Sequence, residues 1–230
     1  MKAIILAAGK GERLKNLTSE LPKPMIVFKG KPILQHNIEL CRRYGVDELF
    51  INTHHKPQAI QGHFGDGRRF GVKIQYSFEE SLLGTSGAVK HFQPALGKSP
   101  FFVIYGDNYS QYNLDSLRGM ADETKSLAVI GFHWREDTES SGVAEFAADG
   151  RVTQFIEKPK LGENKSHWVN AGVYYLQPGI FLYIPDGVSD FAKVVFPKML
   201  ASGITLYGVC SREQVVAFDT PEQYNRTLNS

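Results

Sequence analysis

The stretch that decides the fold lies at the start of the chain, where residues 2–14 read KAIILAAGKGERL. Residues 2–7 form a short apolar run, which is typical of a buried parallel strand. Gly9 and Gly11 follow directly, and glycine lets backbone N–H groups approach a bound anion closely. This segment therefore predicts a buried first strand that leads into a phosphate-binding loop.

The segments that follow alternate between strand and helix patterns. Up to residue 105, strands are predicted at 48–52, 72–77 and 100–105, and helices at 33–44, 58–64 and 85–92. Beyond it, strands are predicted at 126–134, 143–147, 152–156, 168–176, 204–209 and 215–218, and helices at 191–200 and 221–228. The order βαβαβαβ in the first half indicates parallel strands with right-handed crossovers. We predict an α/β fold, with a Rossmann-like mixed, mainly parallel sheet flanked by helices. We expect one domain, residues 1–230, whose two halves meet near residue 110 and share the sheet.

Composition excludes several classes of protein. The 230 residues carry a net charge of +2, whereas a dedicated nucleic-acid binder usually has a strongly basic face. A run of about 18 apolar residues would predict a membrane span, and the chain has none. The apolar start is too short for a signal peptide, so we expect a cytoplasmic protein without membrane partners. Cys41 and Cys210 lack metal-type spacing and are predicted to be reduced core residues.

Basic side chains concentrate near the first loop. Residues 1–31 hold seven lysines and arginines against two glutamates, a surplus that suits a small polyanion such as a triphosphate. The loop is neither a Walker A motif nor a dinucleotide fingerprint, because the first needs Gly-Lys-Ser/Thr and the second needs glycine where Leu14 stands. Prolines on both sides of Lys23 restrict the backbone and present its ammonium group to a phosphoryl centre.

These motifs carry a resemblance to a known family. Gly9-x-Gly11-x-Arg13-Leu14 with Pro22-Lys23-Pro24 resembles the signature of the sugar-phosphate nucleotidyltransferases, also called nucleotide-sugar pyrophosphorylases. The resemblance continues through nearly the whole chain, in Leu83-Gly84-Thr85-Ser86-Gly87, Gly106-Asp107, Glu157-Lys158-Pro159 and Asn170-Ala171-Gly172. It implies a nucleotide-binding half over about residues 1–110 and a sugar-binding half over about 111–230, without a C-terminal acetyltransferase or β-helix extension.

The resemblance also implies roles in catalysis. In such enzymes a phosphate oxygen of the sugar 1-phosphate attacks the α-phosphorus of a nucleoside triphosphate in line, and pyrophosphate leaves. Arg13 is expected to hold the pyrophosphate and Lys23 to stabilise the α-phosphate. Asp107 ends a predicted strand, where open α/β sheets bind ligands, so its carboxylate is expected to hold Mg²⁺. The alternative for Asp107 is an aspartate that caps its own turn.

Asp219 is the second candidate for a Mg²⁺ ligand. Relatives usually show Asp-x-Gly-Thr-Pro here, but Ala217 replaces the usual aspartate and Asp219 stands where glycine is expected. Phosphocholine cytidylyltransferases of the same superfamily resemble this arrangement more closely. Because Thr220 can cap the predicted final helix, the Asp219 carboxylate is free for other work, and we predict that it is the second ligand of Mg²⁺.

Binding residues follow from the same motifs. The residues predicted to bind the nucleotide are Leu6, Ala8, Gly9, Gly11, Glu80, Gly84 and Thr85. The glycine-threonine segment at a helix start should offer free N–H donors, unless it is an ordinary helix cap. The residues predicted to bind the sugar 1-phosphate are Gly142, Glu157, Lys158 and Asn170. Lys158 would pair with the phosphate and Glu157 with hydroxyl groups, the alternative being a solvated surface ion pair.

The predicted substrates are GTP and a heptose or mannose-like 1-phosphate, because the chain resembles the short heptose and mannose guanylyltransferases of lipopolysaccharide or capsule biosynthesis. The short uridylyltransferases for N-acetylmuramate 1-phosphate offer one alternative, with UTP and an N-acetylated sugar. A CTP-dependent cytidylyltransferase for a non-sugar alcohol phosphate is another. A non-catalytic nucleotide-sugar sensor would not need Arg13, Lys23 and Asp107 together. The exact sugar, the pathway and assembly into a homo-oligomer are left open.

Overall fold

The computed structural model describes residues 1–9, 11, 21–139, 141–160, 163 and 166–218. Within them the chain forms two units. The first comprises Met1–Leu82, Ile104–Gln111 and the described residues from Gln214 onward. The second comprises Leu83–Val103 and Tyr112–Glu213. Each unit is therefore built from more than one segment of the chain.

The elements of the described residues are numbered in chain order. The strands are β1 (Lys2–Leu6), β2 (Val27–Phe28), β3 (Lys31–Pro32), β4 (Glu48–Thr53), β5 (Lys73–Phe78), β6 (Phe101–Tyr105), β7 (Asn108–Ser110), β8 (Ala128–Trp134), β9 (Gly142–Phe146), β10 (Val152–Glu157), β11 (Trp168–Leu176), β12 (Tyr207–Ser211) and β13 (Val215–Ala217). The α-helices are α1 (Ile33–Arg43), α2 (Pro57–Phe64), α3 (Gly84–His91), α4 (Gln93–Leu96), α5 (Leu114–Thr124) and α6 (Phe196–Ala201).

In the first unit, β1 lies inside a parallel sheet. It pairs with β4, and β4 pairs with β5, with Lys2 opposite Glu48 and Glu48 opposite Lys73. The end of β6 lies on the other side of β1. The side chains of Ala3, Ile4 and Ile5 have no solvent exposure, which explains why the first strand is apolar on both faces. The predicted buried first strand is confirmed.

In the second unit, β11 is the central strand. It pairs antiparallel with β8 and β9, β9 pairs antiparallel with β10, and β12 runs parallel to β8. Helix α5 begins where the Asn113 side chain accepts a hydrogen bond from the N–H of Asp115 at 3.0 Å. The combined arrangement confirms the predicted α/β class, a Rossmann-like mixed, mainly parallel sheet flanked by helices.

Several sequence predictions need correction. Helix α5 was not predicted at all. Residues 191–195 form a π-helix that leads into α6, so the predicted helix at 191–200 is irregular in its first turns. Strand β12 begins at Tyr207, three residues later than predicted. The predicted helix at 221–228 lies outside the described residues.

The two cysteines differ from each other. Cys41 is buried on α1, as predicted, and burial raises the pKa of its thiol well above the ordinary value. Cys210 on β12 is exposed, so the prediction of a core residue is wrong there. Among the described residues, no helix combines the length and the apolar character that crossing a membrane requires.

Candidate active site

The turn between β6 and β7 presents Asp107. The N–H of Gly106 donates to the carbonyl oxygen of Leu6 on β1 at 2.8 Å. A Cβ atom at position 106 would lie only 2.8 Å from the same oxygen, so a side chain there would push the turn away from the sheet. Glycine is therefore required for this close approach, and Asp107 is held at the end of the buried strand, as predicted.

Lys23 meets Asp107 in an ion pair. The Pro22-Lys23-Pro24 segment folds into a short 3₁₀ helix, Lys23–Met25, closed by the Met25 N–H donating to the Pro22 carbonyl at 2.8 Å. The Nζ atom of Lys23 lies 2.6 Å from Oδ2 of Asp107. The lysine side chain is only 5% exposed, whereas the aspartate side chain is 33% exposed. The structure thus joins two predicted site residues, a pairing that sequence reasoning missed.

The same turn is followed by a small second sheet. Strands β7 and β13 pair antiparallel, with Asn108 opposite Ala217. Phe218, which follows β13, has no solvent exposure, and its ring centroid lies 5.1 Å from that of Phe28. This ladder brings the residue after Asp107 next to the residue two positions before Asp219 in sequence. Asp219 itself lies outside the described residues, as does the predicted pyrophosphate ligand Arg13.

The start of the glycine loop is tied to a buried carboxylate. The N–H of Ala7 donates to Oδ1 of Asn52 at 2.8 Å, and Nδ2 of Asn52 donates to Oε1 of Glu79 at 2.8 Å. Both side chains are buried, and both lie at or just beyond the carboxyl ends of β4 and β5. Asn52 therefore fixes the end of the first strand, a role that was not predicted.

The other residues predicted to bind the nucleotide in this unit are Leu6, Ala8, Gly9, Gly11 and Glu80. Leu6 ends β1, Ala8 is buried, Gly9 is exposed, and Gly11 has a left-handed φ of 65° that favours glycine. Glu80 is exposed, next to the buried Glu79. Their contacts with a nucleotide stay predictions.

The predicted free N–H donors at the start of α3 are not free, which corrects that expectation. The N–H of Thr85 donates to Oδ1 of Asp190 at 3.2 Å, and the next two N–H groups of the helix donate to the carbonyl oxygen of Ser189 at 3.0 and 3.1 Å. Gly84 has a φ of 73°, and a Cβ there would lie 2.4 Å from the same carbonyl. A helix start needs hydrogen-bond acceptors for its N–H groups. The sequence pattern does not show that Ser189 and Asp190, about a hundred residues away, supply them.

In the second unit, Glu157 and Gly142 lie opposite each other on β10 and β9. A Cβ at position 142 would lie 2.8 Å from Oε2 of Glu157 and 2.9 Å from the Phe155 ring, so glycine leaves room for the carboxylate. Burial raises the pKa of Glu157; the ammonium groups of Lys158 and Lys193 oppose that rise, and Asp190 adds to it. Lys193 was not predicted, although π-helical turns such as 191–195 occur frequently at functional sites.

Lys158 and Asn170 lie in unusual backbone. Lys158 is exposed and has a left-handed φ of 54°, which is uncommon for a residue with a side chain, and its N–H donates to the Ser141 carbonyl at 3.1 Å. Asn170 uses its amide inside β11, donating to the Tyr174 hydroxyl at 2.8 Å and accepting from the Gly172 N–H at 2.9 Å. Asn170 thus stabilises an irregularity in β11, and its predicted contact with sugar stays a prediction.

Asp107 could hold Mg²⁺ as a single carboxylate that shares the ion with substrate phosphates. Among the described residues, no group of three or more His, Cys, Asp and Glu side chains could hold a metal ion. Mg²⁺ in phosphoryl-transfer sites commonly takes only one or two carboxylates and completes its shell with substrate phosphates and water. A partly exposed carboxylate at the end of a buried strand matches that mode, so Asp107 suits Mg²⁺ that arrives with a triphosphate.

The described residues thus form an α/β protein in which a glycine-containing segment follows the first parallel strand and a buried lysine pairs with an aspartate at the end of a neighbouring strand. Residues 2–215 match the sequence model of the family described as "Nucleotidyl transferase", so the chain belongs to that family. The resemblance inferred from the motifs is confirmed.

Individual relatives agree with this assignment. The chain is 36% identical over 226 residues to the UTP–glucose-1-phosphate uridylyltransferase of Synechocystis sp., covering 91% of this chain and 58% of the relative. It is 31% identical over 231 residues to the mannose-1-phosphate guanylyltransferase of Mycobacterium tuberculosis, covering 97% and 62%. The chain therefore spans about six-tenths of the length of these curated relatives. The solved structure of HddC from Yersinia pseudotuberculosis complexed with GMP-PN matches with a TM-score of 0.81 and 25% identity, covering 99% of this chain and 98% of that one.

Proposed function

We propose that the chain transfers a nucleotidyl group from a nucleoside triphosphate to a sugar 1-phosphate, releasing a nucleotide-sugar and pyrophosphate. The observation that carries the proposal is the Lys23–Asp107 ion pair, 2.6 Å long, at the carboxyl end of the sheet in a nucleotidyl transferase family member. Both curated relatives are named as enzymes that act on a sugar 1-phosphate. Their names support the class of reaction, with the finer specificity open to test.

The chemistry follows from the properties of the pair. An ammonium group buried to this extent is already desolvated and fixed, so it stabilises the charge that develops on the α-phosphate without further reorganisation. In the absence of ligand Asp107 neutralises it. When bound at Asp107, Mg²⁺ would neutralise the charge of the phosphates. Catalysis then depends on positioning and electrostatics, with no covalent intermediate. Arg13 is assigned to the pyrophosphate and Asp219 to the second metal contact on the resemblance alone.

The second unit supplies the groups for the sugar 1-phosphate. The Glu157 carboxylate is half-buried and accepts hydrogen bonds from hydroxyl groups while it is ionised. The ammonium groups of Lys158 and Lys193 both oppose the rise in the pKa of Glu157, and we expect them to attract a phosphate bound beside it. This combination of one acceptor and two ammonium groups suits a sugar that carries a phosphate.

GTP with a mannose or heptose 1-phosphate is the proposed substrate pair. The named guanylyltransferase relative and the guanine nucleotide analogue in the HddC structure support it. UTP with a hexose 1-phosphate is the second candidate, because the uridylyltransferase relative shares a higher identity of 36%.

The test is pyrophosphate release by the full chain with Mg²⁺, crossing four nucleoside triphosphates with glucose, mannose, heptose and N-acetylhexosamine 1-phosphates, and with phosphocholine. GTP turnover with mannose or heptose 1-phosphate would support the first candidate, and UTP turnover the second. Turnover only with CTP and phosphocholine would replace the sugar by a non-sugar alcohol phosphate. Triphosphate binding without turnover on any pair would favour a nucleotide-sugar sensor.

A further inference from the structure

Helix α1 carries one polar residue on its buried face. Its other buried residues are Ile33, Leu34, Ile38, Leu40 and Cys41. Asn37 lies among them with no solvent exposure. An amide at such a place costs free energy unless its hydrogen bonds are made, and an apolar residue would avoid that cost. Packing of α1 against the sheet therefore does not explain the choice of asparagine.

The Asn37 amide binds both sides of the turn that holds Asp107. Its Nδ2 donates to the carbonyl oxygen of Asn108 at 2.9 Å and, over a longer 3.4 Å, to that of Tyr105. Since carbonyl oxygens only accept, the amide nitrogen must face them. The other amide atom, Oδ1, is buried without a hydrogen-bond partner among the described residues. The side chain is thus only half satisfied, and its satisfied half is directed at this turn.

Two anchors together fix the turn. On one side the Gly106 N–H donates to the Leu6 carbonyl of β1, and on the other side Asn37 holds the two flanking carbonyls. Only Asp107 in the turn carries a charged side chain, and its Oδ2 lies 2.6 Å from Nζ of Lys23. A shift in the backbone of this turn would move the Asp107 carboxylate with it. A displacement of about 1 Å can cost a reaction about 100-fold in rate.

We propose that Asn37 is a positioning residue for the reaction, which acts through Asp107 by clamping the Tyr105–Asn108 turn. This inference rests on the proposed function, because it concerns the same ion pair. It adds a residue on helix α1, outside every motif of the sequence analysis, whose role needs no direct contact with phosphate or metal.

The kinetic test replaces Asn37 by leucine, which fills the site but cannot donate a hydrogen bond, and by alanine in case leucine does not fit. We expect kcat to fall by at least about tenfold, with the KM for the sugar 1-phosphate within about twofold of wild type. The Mg²⁺ concentration for half-maximal activity should rise. Leu40→Ala, a buried change on the same helix, is the matched control for loss of stability and should keep kcat.

A double-mutant cycle tests the route through Asp107. If Asn37 acts through that carboxylate, Asn37→Leu should cost little further kcat in an Asp107→Asn background. Equal losses in both backgrounds would overturn the proposal, because Asn37 would then act independently of Asp107.

Amide hydrogen exchange gives a readout that does not need turnover. In Asn37→Leu, exchange in the 104–110 segment should accelerate while the segments of β4 and β5 keep wild-type protection, and Leu40→Ala should not reproduce this local pattern. Unchanged exchange at 104–110, or the same general acceleration in both variants, would overturn the proposal. If the wild-type chain shows no turnover on any substrate pair, the proposed function fails, whereas the exchange result still decides whether Asn37 clamps the turn.

Discussion

At the scale of single residues, the Lys23–Asp107 pair combines a nearly buried cation with a carboxylate that reaches solvent. A buried ion pair by itself is weak evidence for a stabilising role, because desolvation offsets much of the attraction. Here the pair lies at the end of a sheet strand in a nucleotidyl transferase family member. In the proposed reaction a phosphate would bind the Lys23 ammonium group and Mg²⁺ would bind the Asp107 carboxylate, so the two charges would separate when substrate binds. We therefore interpret the ion pair as two binding groups that neutralise each other until substrate arrives, and not as a contact that stabilises the fold.

Lys23→Ala should lower kcat roughly 10²–10³-fold, the scale for losing one fixed charge-stabilising group. Lys31→Ala is the matched control, because Lys31 belongs to the same basic segment but pairs with Glu39 while both side chains are more than a third exposed. Steady-state pyrophosphate release measures both variants. Near-normal turnover of Lys23→Ala would remove the role assigned to this lysine.

The Glu157 carboxylate is predicted to lower the stability of the fold while it contributes to substrate binding. Its pKa is raised in the folded protein, chiefly by burial, above an ordinary value of 4.5. The ionised carboxylate therefore destabilises the fold above the raised pKa, and this cost disappears as the pH falls below the unfolded value. Glu157→Gln should consequently have a higher Tm than wild type at pH 8, with the difference shrinking as the pH is lowered.

The same substitution should weaken binding of the sugar 1-phosphate. In wild type the KM for that substrate should begin to rise on acidification at a higher pH than an ordinary glutamate would give, and Glu157→Gln should lose this pH dependence. Glu145→Gln on the neighbouring strand β9 is the control. A wild-type KM that stays flat down to the ordinary glutamate range would contradict the assigned contact.

At the scale of elements, the start of α3 is held by the segment that precedes the π-helix. Asp190 accepts hydrogen bonds from both the N–H and the hydroxyl of Thr85, while Ser189 receives the next two N–H groups. A carboxylate at a helix start satisfies unpaired donors and interacts favourably with the helix dipole. These hydrogen bonds join the 189–190 segment to a helix start, Gly84-Thr85, that sequence reasoning assigned to the nucleotide.

Asp190→Ala should lower the free energy of unfolding by about 1 kcal/mol, the usual cost of losing a helix cap. Because Asp190 also contributes to the raised pKa of Glu157, the pH dependence of sugar binding should move to lower pH. Urea unfolding and KM profiles measure the two effects. Asp186→Ala removes an exposed carboxylate of the same loop, paired with Lys90, and should change neither.

The elements that could be predicted from sequence are those whose signal is local. Apolar runs located β1, β4 and β6 within a residue or two, and apolar spacing located α1. Helix α5 was missed although Asn113 as a cap and buried Leu114 and Leu117 at helical spacing were readable signals.

The parts of the site that could not be predicted depend on distant partners. Lys23 and Asp107 are 84 positions apart, and Thr85 and Asp190 are 105 apart. Motifs indicated that each residue matters, but the pattern of a single sequence does not show which groups satisfy one another. For that reason the ion pair was missed, and the N–H groups of α3 were wrongly expected to be free.

At the scale of the whole molecule, the predicted groups for the reaction divide between the two units. Lys23 and Asp107 belong to the first, and Glu157, Lys158 and Asn170 to the second. A ligand that binds only the native state raises stability by mass action, about 2.7 kcal/mol at a concentration of 100 times its Kd. Thermal shift can therefore follow the binding of each substrate without turnover.

Glu157→Gln should keep the wild-type rise in Tm with Mg²⁺ and the preferred triphosphate, while Lys23→Ala should lose most of it. If sugar 1-phosphate binds without the nucleotide, Glu157→Gln should lose most of the rise in Tm that this substrate gives, and Lys23→Ala should keep it. Loss of the triphosphate shift in Glu157→Gln would contradict the assignment of this residue to the sugar.

Phe218 completes an aromatic cluster in the first unit, where its buried ring packs against Phe28, which lies far earlier in the sequence. During synthesis on the ribosome, the aromatic cluster around Phe28 must therefore wait until nearly two hundred further residues have been made. In the second unit the wait is shorter, because its last strand β12 pairs with β8, with Tyr207 opposite Val129. Nascent chains stalled before Phe218 should consequently expose the apolar side chains around Phe28, the condition that chaperones recognise and that favours aggregation.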